Sequence, residues 1–158
     1  MSDEGGLQVD PRLVFTRADH ELALAVGRWQ VENQKLVDLF PSAEVLTSSD
    51  GRYRVRFTIK SHFGNSWHLF LEIGDNYPNE RPEVKTNGWE IENQIDDDGF
   101  NHCYGSNTPC VQDPAQWSKD MSVVLTIFKT AKWVDKYEIW LNSGSPGHRR
   151  WPGAQHVF

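Results

Sequence analysis

Residues 53–60, Tyr-Arg-Val-Arg-Phe-Thr-Ile-Lys, alternate without a fault, and that alternation limits the fold more than any other feature of the chain. Tyr53, Val55, Phe57 and Ile59 fall on one side of an extended strand, and Arg54, Arg56, Thr58 and Lys60 fall on the other. A strand buried on both faces would be apolar throughout. This one keeps a wet face and so belongs to an antiparallel sheet covered on one side only. Its neighbours agree. Ala43 to Thr47 forms a short strand before the turn Ser48-Ser49-Asp50-Gly51, while Trp67, Leu69, Leu71 and Ile73 alternate after the turn His62-Phe63-Gly64-Asn65. Pro82 to Thr86 supplies a fourth strand, and the short connections make the set an antiparallel meander.

Helical periodicity brackets the sheet. Leu22, Ala25, Val26, Trp29, Leu36, Val37 and Phe40 recur at steps of three and four, which predicts one amphipathic helix from Ala18 to about Phe40, capped by Thr16 or Asp19 and ended by Pro41. Gly27 inside it costs roughly 1 kcal/mol relative to Ala, so the helix must rely on burial of its Trp29 face. A final helix carries Val123, Val124, Ile127, Phe128, Ala131, Val134 and Leu141, with Ser118 as its expected cap. Strands in one run with helices at both ends read as α+β, the helices packed on one sheet face.

The chain has 158 residues, the length of a single domain with a real core, and is read as one over 1–158. Residues 1–10 are expected to be flexible, and 143–158, rich in Gly and Pro, to be an irregular tail. A formal charge of -6 argues against a protein that wins affinity by neutralising nucleic-acid phosphates. There is no apolar run of membrane-spanning length, and the opening MSDEGGLQVD has neither the basic nor the apolar region of a secretion signal, so the expected location is the cytoplasm. No phosphate-cradling glycine loop, HExxH or GxSxG occurs, and no cofactor is expected.

Between Asn87 and Gln116 lie roughly thirty residues with neither period, and loops of that length inside a compact domain are usually functional. Both cysteines, Cys103 and Cys110, fall here and are expected as thiols, since a disulfide between them would close only a small ring. Cys110, in an irregular segment expected to be exposed, is a candidate nucleophile; the commoner fate of such a cysteine is an inert, buried small hydrophobe. His102 nearby favours the first reading. His102, Cys103 and Cys110 could instead ligate zinc, but a fourth ligand and CxxC-type spacing are missing, and no metal is expected. Asp96-Asp97-Asp98 reads as a solvated turn or as a patch for a basic partner. Trp67, Trp117 and Trp133 read as core; Trp89 is open.

In order, the chain thus runs helix, four strands, Tyr77-Pro78-x-x-x-Pro82, a loop with His102, Gly105 and Cys110, then Trp117-Ser118 and a helix. That order, over residues 18 to 141, resembles the catalytic domain of ubiquitin-conjugating enzymes. The resemblance implies a fold of that type. It also implies an acyltransferase in which Cys110 takes the C-terminal acyl group of a protein as a thioester and passes it to a target lysine. In eukaryotic members His-Pro-Asn precedes the cysteine and the Asn assists aminolysis. Here the order is Asn101-His102-Cys103, so His102 becomes the expected helper, with Asn101 and Asn107 as substitutes and Asp113 orienting or deprotonating the amine. The ending in Trp151-Pro152 is similar to bacterial relatives, in particular the stand-alone conjugating protein of short type II CBASS antiphage operons. There the implied donor is a cGAS-like nucleotidyltransferase; otherwise it is a ubiquitin-like modifier, served where needed by an activating enzyme. The alternative is a non-catalytic module of the same fold that binds a partner protein.

Overall fold

The computed structural model of the protein describes residues 10–87, 103–105, 107–145 and 148–152. Four strands, β1 (Glu44–Thr47), β2 (Tyr53–Lys60), β3 (Ser66–Glu72) and β4 (Glu83–Thr86), form an antiparallel meander in that order. The register aligns the apolar side of every strand. Val55 stands opposite Val45 and Leu71, Phe57 opposite Leu69, Ile59 opposite Trp67, and Leu71 opposite Val84. A slip of one residue would turn all of them to water, so burial on one face enforces the pairing. On the other face Arg56 pairs with Glu44, and Arg54 with Glu72, all four side chains being exposed. Such exposed pairs add about 0–1 kcal/mol each.

Helix α3 (Val123–Leu141) covers the inner face. The Trp67 ring meets Trp133 and Tyr137 edge-on at centroid distances of 5.9 and 5.4 Å, and its indole N–H donates to the buried Glu138 carboxylate at 2.8 Å. Asn65 donates to the same oxygen at 2.9 Å. Burial pushes the Glu138 carboxyl up, but bonds from Ser61, Trp67 and Asn65 outweigh it and hold the group below its ordinary value. The cap of α3 is Ser122, which accepts from the Val124 N–H, and not Ser118 as expected; the Ser118 hydroxyl accepts from Asp120 in a turn ahead of the helix. The sequence offers two serines of equal capping power, and packing chooses the one whose hydroxyl also meets a buried acid, described below.

The single N-terminal helix expected from periodicity is two helices, α1 (Arg17–Val26) and α2 (Arg28–Leu39), broken at Gly27. Gly27 sits at φ +93°, ψ 151°, where a side chain is strained, so the glycine is a hinge and not a tolerated interior residue. The Thr16 and Asp19 caps act together as a capping box. None of the residues of α1 is buried, and Leu24 is 90% exposed. It is α2 that reaches the core, through buried Val31 and Leu36 and through Trp29, whose ring lies 4.6 Å from Tyr53 and 5.6 Å from Tyr77.

The stretch 87–116 is not wholly irregular. It holds a short hairpin, β5 (Cys103–Gly105) with β6 (Thr108–Pro109), and a 3-10 turn at Pro114–Gln116. Strands of two or three residues are too brief to leave a period. In the tail, residues 148–152 adopt no regular element, as expected, yet they dock. Trp151 packs 5.8 Å from Trp133, and Arg149 is buried with its guanidinium 5.0 Å over Trp140. Trp67 and Trp133 are core; Trp117 is only half-buried and precedes its helix. Trp89 and Asp96 to Asp98 lie outside the described residues, as does the frayed end expected for 1–10 apart from Asp10. Helices at the N-terminal end, a four-stranded antiparallel sheet and a C-terminal helix make the α+β arrangement of a conjugating-enzyme-like fold.

Candidate functional site

Cys110 follows β6 directly and is the middle residue of a run, Thr108 to Gln112, that is buried throughout. The expectation of an exposed thiol is therefore corrected: Cys110 is 8% exposed. The segment around it is pinned on both sides. Two residues before it, the buried Thr108 hydroxyl accepts from the Lys85 ammonium of β4 at 2.9 Å and donates to Asn107 Oδ1 at 3.1 Å. Two residues after it, the Gln112 amide oxygen accepts from the Thr126 hydroxyl of α3 at 2.9 Å, both side chains being buried. Buried hydrogen bonds are costly to break without replacement, so the thiol-bearing stretch is held between the sheet edge and the helix.

The expected partners of Cys110 fare unevenly. Asn101 and His102 lie outside the described residues. Asn107 is exposed at the hairpin turn; its carbonyl accepts from the Thr86 N–H at 2.9 Å, tying the hairpin to β4, and its side-chain oxygen is engaged by Thr108. Asp113 accepts from the Ala115 N–H at 2.9 Å and caps the 3-10 turn. That is a structural use of the carboxylate, separate from the amine-orienting role expected of it. Among the described residues no group of three or more His, Cys, Asp or Glu could hold a metal ion, and no helix is long and apolar enough to cross a membrane.

The structure also holds a buried acid that periodicity alone does not single out. Glu32 of α2 is fully buried and receives four donors. Its Oε1 accepts from the Ser122 hydroxyl at 2.6 Å and the Val123 N–H at 3.3 Å; its Oε2 accepts from Arg28 Nε at 3.2 Å and from the Tyr77 hydroxyl. Burial and the adjacent Glu32 raise the Tyr77 phenol well above its ordinary value, so Tyr77 is the donor. Arg28 also donates to the Lys119 and Met121 carbonyls at 2.7 and 2.6 Å. The Trp117 indole N–H donates to the Pro78 carbonyl at 2.8 Å, beyond the cis Tyr77-Pro78 bond. One carboxylate thus gathers α2, the Tyr-Pro turn and the start of α3, and the Trp117 bond adds the segment leading from the cysteine to that helix. A sequence signal exists: Glu32 lies three residues after Trp29 and four before Leu36, on the stripe that faces inward.

A search of the curated proteins returns no match. The family model described as type II CBASS E2 protein matches residues 32–156, from the buried Glu32 through the whole sheet, the cysteine segment, α3 and the docked tail, and the chain belongs to this E2-CBASS family.

Proposed function

We propose that the protein is an acyltransferase that carries the C-terminal acyl group of a partner protein as a thioester on Cys110. The observation that carries the reading is the doubly pinned Cys110 segment, set between the sheet edge and α3, in a chain of an E2-like family. The donor's C-terminal carboxylate reaches Cys110 already activated with ATP, as an acyl adenylate or as a thioester on an activating enzyme; the Cys110 thiolate attacks that acyl carbon, a C–S bond forms, and AMP or the activating enzyme's thiolate leaves. An amine of the target then attacks the thioester; a C–N bond forms, the thiolate of Cys110 leaves, and the amine's proton passes to a base. Dividing the transfer in two avoids direct attack of a weak nucleophile on a poor electrophile. The donor is a cGAS-like nucleotidyltransferase, in keeping with the CBASS family, in preference to a ubiquitin-like modifier; the target supplies a lysine, and the location is cytoplasmic.

His102 is the helper in this scheme. Its support is the pairing of Cys103 with Pro109, which sets the chain neighbours of His102 and Cys110 opposite one another. Asn101 and the exposed Asn107 are substitutes, and the Asp113 carboxylate is committed to its turn. A second reading, a binding module in which Cys110 is an inert apolar residue, draws on its 8% exposure.

The test is an adduct assay. The protein is incubated with the nucleotidyltransferase, with activating enzyme and ATP in a parallel arm, and adducts are scored with and without excess thiol. A thiol-sensitive adduct that vanishes in Cys110→Ala and persists in Cys103→Ala is expected; an adduct surviving Cys110→Ala, or none in either arm, refutes the assignment. His102→Ala should load normally and discharge slowly.

A further inference from the structure

We propose that Glu32 is a positioning residue for acyl transfer at Cys110, an inference that rests on the thioester reading above. The carboxylate touches no reacting atom; it acts through a relay of side chains. Glu32 Oε1 holds both the Ser122 hydroxyl and the Val123 N–H, which are the cap and first residue of α3. One turn into the helix, Thr126 holds the amide oxygen of Gln112, two residues past Cys110. The other carboxylate oxygen takes Tyr77 and Arg28, so the origin of α3 is referenced to α2 and to the Tyr-Pro turn at once. A rotation or slide of α3 would move Thr126, and with it Gln112 and the thiol. Glu32, Ser122, Thr126 and Gln112 are all buried, so water cannot replace a broken link cheaply.

Glutamine at position 32 keeps the shape but breaks the pattern. Both carboxylate oxygens accept from two donors each, whereas an amide presents one accepting oxygen and turns an NH2 group toward donors on the other side. Because reactive geometry tolerates little displacement, the maximal acylation rate should fall about tenfold or more. Binding of a small donor, which contacts none of these residues, should not change.

The experiment uses the whole chain and a glycyl thioester of 2-mercaptoethanesulfonate as acyl probe. The Cys110 thiolate attacks the probe's carbonyl carbon, and the released 2-mercaptoethanesulfonate thiolate takes up the proton that Cys110 gave to solvent. Acylation at Cys110 is followed by peptide mass spectrometry for wild type, Glu32→Gln, Thr126→Val and the double variant, at a temperature where circular dichroism shows each to be folded. Each single change should lower the maximal rate with the half-saturating concentration unaltered, and the double variant should be no slower than the slower single. Unchanged rates, or a double variant slowed by the product of the two factors, would overturn the relay. Should Glu32→Gln not fold, Ser122→Ala, which removes one link and leaves the carboxylate its other donors, is held to the same criteria. If wild type is not acylated at Cys110, the thioester reading fails and hydrogen exchange decides the relay by itself. Faster exchange confined to the first turn of α3 and residues 108–114 upholds it; a uniform rise that includes β2 and β3, or none, overturns it.

Discussion

Tyr77→Phe isolates a single bond to the buried acid. The phenylalanine ring keeps the contacts of Tyr77 with Trp29 and Trp117, at 5.6 and 6.0 Å, and loses only the hydroxyl that donates to Glu32. A hydrogen bond to a buried charged group contributes roughly 1.5–3 kcal/mol. Here the same oxygen keeps Arg28 Nε at 3.2 Å, which places the loss near the middle of that range, about 2 kcal/mol. For a chain of this size that lowers Tm by about 4–8 °C. Urea unfolding should show the midpoint falling with an unchanged m value, because no element is lost. Since burial and Glu32 hold the phenol well above its ordinary pKa, the hydroxyl stays protonated and the difference between the two proteins should be flat from neutral into mildly alkaline pH. A loss below about 0.5 kcal/mol, the range of an ordinary surface change, would show that the acid does not depend on Tyr77.

Two further perturbations test other parts of the structure. Gly27→Ala places a side chain at φ +93° where no neighbouring atom approaches the new methyl, so its cost is backbone strain alone, about 1–3 kcal/mol by thermal or urea unfolding; a gain in stability would mean that α1 and α2 can fuse. Lys129, buried on α3, has its ammonium pKa lowered from 10.5 to about 8 by burial and by Lys132. Between those two values the unfolded chain binds a proton that the native state does not, so stability should rise with pH across that window by up to about 3 kcal/mol. In Lys129→Met that rise should be missing relative to wild type, and parallel stability curves for the two proteins would refute it.

The sheet was legible because its signal is local. Residues 53–60 state both their strand and its buried face, and the register follows once the apolar sides must coincide. Helix boundaries were less so. Apolar steps of three and four run straight through Gly27, because periodicity records side chains and not the φ of a residue that has none. The capping serine of α3 was misread for a related reason: Ser118 and Ser122 differ only in what lies opposite them, and Glu32 is ninety residues away in the chain from Ser122. Cys110 is singled out by its place in the order of motifs, while its burial belongs to a segment whose Gln112 is tied to α3 only after folding.

The sequence by itself determined the α+β class, the strand pairing and which cysteine to watch, since alternation, turns and motif order are properties of neighbouring residues. Only the tertiary structure decided how that cysteine is held. Lys85, Thr126 and Glu32 are far from Cys110 in the chain and carry no mark of their role, because a buried hydrogen bond is specified by two surfaces that meet only after folding.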